Sequence, residues 1–488
     1  MKTILLSFCL LASFFLRLCA QLPYGNEENC FTILAGKKAT TDGSVMLAHN
    51  EDGPGPILIN WYKTHSGHAD TGTFIVTETA VTLPQAENIN GTFWLEMPDY
   101  SFSDSYMNEK GVVIASNQCK SREDDPSLTG GGIGYWLRRL MAERAGTARE
   151  AVKIGGELIE QFGYLSSGRT YCIADSKEAW MMSVVKGKHW VACRIPDDRL
   201  AVIPNYYTIE GIDLTDTANW LGSADIIDYA VRRGWYDPSN GQPFSFRLAY
   251  ADPLSLTDIK NIARHWQGVS RLAEHPYNLH EKLPFAFPPK EKISPEMLFL
   301  ILSDHYESTE LQPLPGSMAD PHVSDTMRIC SDRNQYGFVA QLRDWMPAAV
   351  GSILWLAPPR PCMQPFVPWY CGIESVPPVY SDHDAGYAIA HHFEHGRTME
   401  EPCDHAYCAY LHYAAQINES YSENIVSAAE YKIRRQKEIL VLQEKMEKKV
   451  LRLYEVDPQG ALKILTEFTS SLAMKEYKRT VSALKPRD

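Results

Sequence analysis

The sequence predicts an α+β protein in which antiparallel strands are layered with helices, and three observations carry that prediction. Strand-like runs open the chain around short turns, helical segments interrupt them, and four more strand-like runs follow on linkers of a few residues. Linkers that short join antiparallel neighbours and leave no room for the crossovers of a parallel sheet. Phe31–Ala35 and Val45–His49 flank the turn signal Thr41-Asp42-Gly43 and read as consecutive antiparallel strands. Thr73–Thr79 and Val112–Ala115 are the next strands, the second entered from the turn Asn108-Glu109-Lys110-Gly111. Gly130-Gly131-Gly132 opens a helix over Tyr135–Ala145. Thr147 and Glu150 have capping-box spacing, each side chain serving an N–H of the helix start, and the helix should reach Phe162. Thr170–Ala174, Ala179–Val185, His189–Arg194 and Leu200–Ile203 read as a meander. Ser294-Pro295-Glu296 starts a further helix, with Ser as cap and proline where its missing N–H is harmless. Residues 329–380 return to strand and loop, rich in proline, and from about Tyr387 the chain is helical. Ile425–Tyr454 carries apolar residues at spacings of three and four between many charges, and Asp457-Pro458 starts the last helix. That tail is expected to pack on the main domain; a coiled-coil partner, and with it a homo-oligomer, is the alternative.

Composition bounds the function. The 488 residues are 44% hydrophobic and 22% charged with 31 Gly and 30 Pro, values that exclude disordered and collagen-like classes. Lys and Arg number 47 against 60 Asp and Glu, and a net charge of -13 repels phosphate backbones, so no nucleic acid partner is expected. Lys2, the apolar run Ile4–Leu16 and the small Ala20 form a secretory signal over residues 1–20. The run is short for a membrane span, so a secreted or periplasmic protein with no span after signal cleavage is expected. Arg17 beside the cut keeps an uncleaved anchor as the alternative. Removing the signal takes Cys9 and Cys19 and leaves nine cysteines, an odd number. Eight could pair in an oxidising compartment, or many could be buried thiols. Sequons at Asn90 and Asn418 matter only in a glycosylating host.

Cys30 opens the first strand, and the second ends in His49-Asn50-Glu51-Asp52. A cut before Cys30 would give that residue an α-amine beside its thiol. The amine, with a pKa of about 7.7–8, accepts the thiol proton, so one residue supplies both nucleophile and base. Asp52, on the neighbouring strand, is placed to hold the amine. A buried or disulfide-bonded Cys30 with a turn aspartate is the competing reading of the same residues.

The stretch Cys30 to Asp52 resembles the start of the secernin-like dipeptidases, N-terminal-nucleophile cysteine hydrolases related to bile-salt hydrolases and penicillin V acylases. Asn108-Glu109-Lys110-Gly111-Val112, Ile173-Ala174-Asp175 with Ala179-Trp180, His189-Trp190-Val191-Ala192 and Phe338-Val339-Ala340-Gln341-Leu342-Arg343 extend the resemblance over most of residues 30–380. It implies a four-layer αββα sandwich over residues 30–380, a helical region over 381–488, and self-removal of a propeptide, residues 21–29. It further implies hydrolysis of small peptides without a cofactor or catalytic metal. Carried over by position, Cys30 is the nucleophile, Asp52 orients its amine, and Asn205 after Ile203-Pro204 donates to the oxyanion. Asn117 is a second donor, and the local match there is off by one residue. His49 stands where relatives carry Arg or Lys, and Arg328 is the cation expected to compensate as a substrate-binding residue.

One rival constellation is present. His391-His392-Phe393-Glu394-His395 matches H-x-x-E-H, which on a helix puts His391 and His395 on one side to bind zinc with Glu394 as base. That reading makes the protein a zinc metallopeptidase, and it requires a third ligand that nothing downstream clearly supplies.

Overall fold

β1 (Phe31–Ala35) and β2 (Val45–Asp52) form the expected hairpin, with Phe31 opposite Asn50 and Ala35 opposite Met46. Its turn is closed by Asp42, which accepts the Ser44 N–H at 3.0 Å, and by Gly43 at φ +85°, a left-handed conformation that only glycine adopts without strain. The computed structural model describes residues 30–484 other than 54, 56, 71, 101, 313–319, 324–325 and 395–402, so the signal and propeptide assigned to residues 1–29 lie outside the described residues.

After β2 the chain builds a second sheet from β3 (Asn60–Lys63), β4 (Thr92–Glu96), β5 (Ser105–Asn108) and β6 (Val113–Gln118). Helices α1 (Tyr135–Arg144) and α2 (Ala148–Phe162) intervene, and Thr147 caps the second by accepting the Glu150 N–H, as its spacing predicts. β7 (Tyr164–Ala174), β8 (Ala179–Gly187) and β9 (Trp190–Arg194) continue the same sheet as a meander. The predicted fourth meander strand does not. β10 (Leu200–Ile203) crosses to the first sheet and pairs with β1, Thr32 opposite Ile203, while β11 (Trp220–Gly222) takes the edge beside β9. Helix α3 (Ile259–Leu272) and α4 (Pro295–Leu302) follow, and β12 (Asn334–Leu342), β13 (Ser352–Ala357) and β14 (Val367–Tyr370) complete the first sheet beyond β2. The result is one six-stranded and one eight-stranded antiparallel sheet, accompanied by two small hairpins.

Period-two alternation decides how the layers stack. On β6 and β7, Val113, Ala115, Cys172 and Ala174 point into the core shared with the first sheet. Ile114, Tyr171 and Ile173 point the other way, onto Leu137, Met141, Val152 and Ile159 of α1 and α2. On the far side, α3 lies against β1 and β10 at Gly268, where a Cβ would come within 2.8 Å of Phe31 and 2.9 Å of Val202. Helix, sheet, sheet and helix therefore succeed one another, the αββα order that the family resemblance implies. Short α5 (Ala385–His391) precedes α6 (Ala406–Asn418), α7 (Tyr421–Tyr454) and α8 (Pro458–Ala483). Ile439, Met446, Val450, Leu465 and Leu472 of the last two join the main core, so the tail packs on the sandwich. Of the two readings of the cysteine count, the structure takes buried thiols for all but one pair. Cys403 and Cys408 form a disulfide, and the other seven described cysteines are thiols.

Candidate active site

Cys30 lies at the mouth of β1, fully buried, and the strand pairing decides what it meets. Phe31 faces α3, so Cys30 and Thr32 face the other sheet, as do His49 and Glu51 across the hairpin. The Cys30 thiol donates to Glu51 Oε1 at 3.2 Å, and Glu51 Oε2 lies 2.9 Å from His49 Nε2. His49 Nδ1 is 2.7 Å from the Thr32 hydroxyl, which donates to Asn117 Oδ1 at 2.6 Å, and Asn117 Nδ2 donates to the Ile203 carbonyl at 3.0 Å.

The protons along this chain can be placed. Asn117 must present its NH₂ to the Ile203 carbonyl, so its oxygen accepts from Thr32. Thr32 has one proton, already given, and so it accepts from His49 Nδ1–H. Burial, with Arg138 and Arg169 nearby, lowers the His49 pKa to about 3 and keeps the ring neutral. Its Nε2 is the ring nitrogen that faces Glu51 Oε2.

On the opposite face of β2, Asp52 accepts from Ser331 Oγ at 3.1 Å and from Asn334 Nδ2. Burial raises its carboxyl to a pKa of about 7 against the opposing pull of Arg264 and these two hydrogen bonds. Arg264, on α3, is the hub of the site. Its Nη1 donates to the Cys30 carbonyl at 2.7 Å and to Asn205 Oδ1 at 2.9 Å, and its Nη2 donates to Asn261 Oδ1 at 2.9 Å. Asn205 Nδ2 donates to the Gln118 carbonyl at 2.9 Å, which ties the β10 end to the β6 end. Desolvation lowers the Arg264 pKa, though a guanidinium stays charged.

Cys30, Asp52 and Asn205 are thus brought to one end of the sandwich around Arg264, and Asn117 joins them behind Thr32. Arg328 is not brought to the thiol. It lies over the Tyr306 ring at 4.7 Å and donates to the Leu311 carbonyl at 2.8 Å and to Thr326 Oγ1 at 3.0 Å. The buried cation that does touch the set is Arg264, which sequence reasoning missed, as it missed Arg138 and Arg169, whose charges act on His49. Arg264 has no local signal, because its link to Cys30 exists only once α3 packs on β1. Glu51 was in plain view between Asn50 and Asp52, and the alternation of β2 could have separated its face from that of Asp52.

Two groups of described residues have ligand atoms within 4.8 Å of one another: Cys30, His49 and Glu51, and His305, His322, Cys330 and Cys362. Neither includes the H-x-x-E-H residues. The helical premise of that motif is corrected, because α5 ends at His391 and residues 392–394 form a turn. His391 spends Nδ1 on the Tyr387 carbonyl at 2.8 Å, and His392 is held by Glu96 Oε1 at 3.0 Å; His395 lies outside the described residues. His391 and Glu394 line a cavity of about 90 Å³ with Glu96, Asp382 and His383, apart from Cys30.

The profile of "Peptidase family C69" matches residues 29–420. A "Probable dipeptidase" of Salmonella dublin is 26% identical over 386 residues, covering 73% of this chain and 84% of that protein. A "Probable dipeptidase" of Latilactobacillus sakei is 27% identical over 373 residues, covering 72% and 76%. Among solved structures, penicillin V acylase from Agrobacterium tumefaciens is 10% identical with a TM-score of 0.32, covering 68% of this chain and 83% of that one.

Proposed function

This chain belongs to peptidase family C69, and from that premise we propose that it is an exported dipeptidase that hydrolyses small peptides with an N-terminal Cys30 as nucleophile. The observation that carries this reading is the meeting of Cys30, Asp52 and Asn205 around Arg264, in a family whose relatives are named as dipeptidases.

Maturation would take two cuts, one after Ala20 by a signal peptidase and one between Asn29 and Cys30. In the second, the Cys30 sulfur adds to the Asn29 carbonyl and the C–N bond breaks, leaving a thioester and a new α-amine. Water then hydrolyses the thioester, releases the propeptide as a carboxylate and restores the thiol.

In the mature enzyme the α-amine takes the thiol proton and the thiolate attacks the peptide carbonyl. The oxyanion draws on the Asn205 amide, an interaction typically worth about 3 kcal/mol in such sites. The ammonium returns its proton to the departing amine, and water, deprotonated by the same amine, cleaves the acyl-enzyme. Asp52 is suited to steady the ammonium. A new cation at Cys30 would oppose the effect of burial on Asp52 and favour its ionised form. Arg264 holds the Cys30 carbonyl and thereby the direction of the thiol.

N-terminal sequencing of purified protein, paired with a screen of dipeptides beside N-acyl amides, tests the proposal. A chain starting at Cys30 that cleaves dipeptides is expected. An active enzyme starting at Gln21 would remove the free-amine mechanism, and cleavage of acyl amides alone would move the substrate to the bile-salt or penicillin type.

A further inference from the structure

Away from Cys30, four buried side chains with metal-binding atoms converge from separate parts of the chain. His305 follows α4, His322 and Cys330 lie on the approach to β12, and Cys362 lies beyond β13. One atom from each falls within 4.8 Å of the other three, and His322 Nε2 is 3.2 Å from Cys362 Sγ. Each histidine turns its other nitrogen to a carboxylate: His305 Nδ1 meets Glu307 Oε1 at 2.8 Å, and His322 Nδ1 meets Asp320. His305 is 4% exposed, and its Nε2 is buried with no hydrogen-bond partner. Two Nε2 atoms and two sulfurs are thereby directed at one point.

We propose that His305, His322, Cys330 and Cys362 bind a single zinc ion as a structural site. Two thiolates and two imidazoles are a donor set that selects zinc over hard cations. Bonds of about 2.3 Å to sulfur and 2.0–2.1 Å to nitrogen give a tetrahedron with edges of roughly 3.3–3.8 Å, a small contraction of the cluster seen here. Binding releases two thiol protons, and the resulting Zn(Cys)₂(His)₂ centre is electrically neutral, as a buried site requires. Carboxylates behind both histidines fix their tautomers, the arrangement that orients imidazole ligands on zinc. Four protein ligands leave no open position, so the ion has no part in peptide hydrolysis.

Its place explains its use. The described residues between α4 and β12 contain no helix or strand, and loops of such length need another anchor. The zinc would pin this loop at both ends to the chain after β13. Cys330 adjoins Ile329, whose carbonyl accepts from Asn50 at 2.8 Å, and Ser331, which holds Asp52. The same ion would therefore steady the anchors of Asp52.

Elemental analysis of the full-length protein, purified without chelator from zinc-supplemented medium, tests the site. About one zinc per chain is expected, retained in His391→Ala and lost in Cys362→Ser and His322→Ala. Stripping the ion from the wild type with a strong chelator should lower the Tm by several degrees, and zinc but not magnesium should restore it. Cobalt added to the stripped wild type should give thiolate charge-transfer absorption, a readout that needs no variant to fold. Absence of zinc, zinc retained in Cys362→Ser, or a Cys330–Cys362 disulfide found by peptide mapping would overturn the proposal. None of these outcomes bears on whether Cys30 is the nucleophile.

Discussion

Replacing Cys30 separates two events assigned to the same sulfur. Cys30→Ala has neither nucleophile nor proton donor, so the propeptide should stay attached and turnover should vanish. Cys30→Ser keeps an oxygen that ionises far less readily, so slow processing with hydrolysis reduced by at least about a hundredfold is expected. Intact-mass measurement over days and dipeptide turnover read the two separately; full activity in Cys30→Ala would end the assignment. Asp52 carries a second prediction through pH. Its folded pKa is raised to about 7 from 3.8, so between those values the native state of the unprocessed chain binds more protons than the unfolded state. Stability from this group is therefore fully present below pH 4 and lost as the pH rises through 7. His49 acts in the opposite sense, since its pKa of about 3 against 6.5 makes the native state bind fewer protons and favours it as pH rises. In unprocessed Cys30→Ala as background, Asp52→Asn should gain stability relative to its parent on going from pH 4 to pH 8. Denaturant midpoints that stay parallel across that range would show that Asp52 is not perturbed.

Helix α3 matters to the site through its distance from the sheet. Gly268→Ala places a methyl 2.8 Å from the Phe31 ring and 2.9 Å from Val202, one turn beyond Arg264. Overpacking of this kind costs about 1–3 kcal/mol, against which alanine's better helix propensity returns up to about 1 kcal/mol. We expect a lower denaturant midpoint together with a fall in kcat as Arg264 shifts; unchanged kinetics would detach α3 from the chemistry. The strands and helices that the sequence made legible are those with local signals. The β1–β2 turn, the Thr147 cap, the Pro295 and Pro458 helix starts and the β7–β9 meander all rest on residues adjacent in the chain. What escaped was set by tertiary contact. Leu200–Ile203 looks like one more meander strand, yet its partner is β1, some 170 residues earlier. For the same reason Cys30 and Asp52 could be singled out from the strand order and Asn205 from the family resemblance, while Arg264 could not. Arg328, expected to compensate for His49, lies over Tyr306 and donates to the Leu311 carbonyl, contacts that no local signal announces.

At the scale of the whole molecule, the tail is fastened to the sandwich by a buried pair. Arg343, just after β12, donates to both carboxylate oxygens of Glu447 on α7 at 2.8 and 2.6 Å, and Tyr370 on β14 donates to the same group at 2.8 Å. Glu447→Ala strands a buried guanidinium and should cost about 3–5 kcal/mol, whereas replacing Arg343 and Glu447 together by apolar residues should cost much less. Equal losses in the single and double variants would mean that the pair is not coupled. Among the described residues no helix is long and apolar enough to cross a membrane. The crossing of β10 and the late arrival of β12 have a further consequence, one of timing. Asp52 meets Asn334, and β2 is flanked by β12, only after more than two thirds of the chain has been made. A chain made only as far as β11 has Cys30 and Asp52 but lacks Ser331 and Asn334, the two side chains that hold Asp52. The cut before Cys30 would then work as a proofreading step, sparing unfinished chains and arming only those folded through residue 334. Chains truncated ahead of β12 should keep their propeptide indefinitely, and such a chain found cleaved would show that the nucleophile is set earlier.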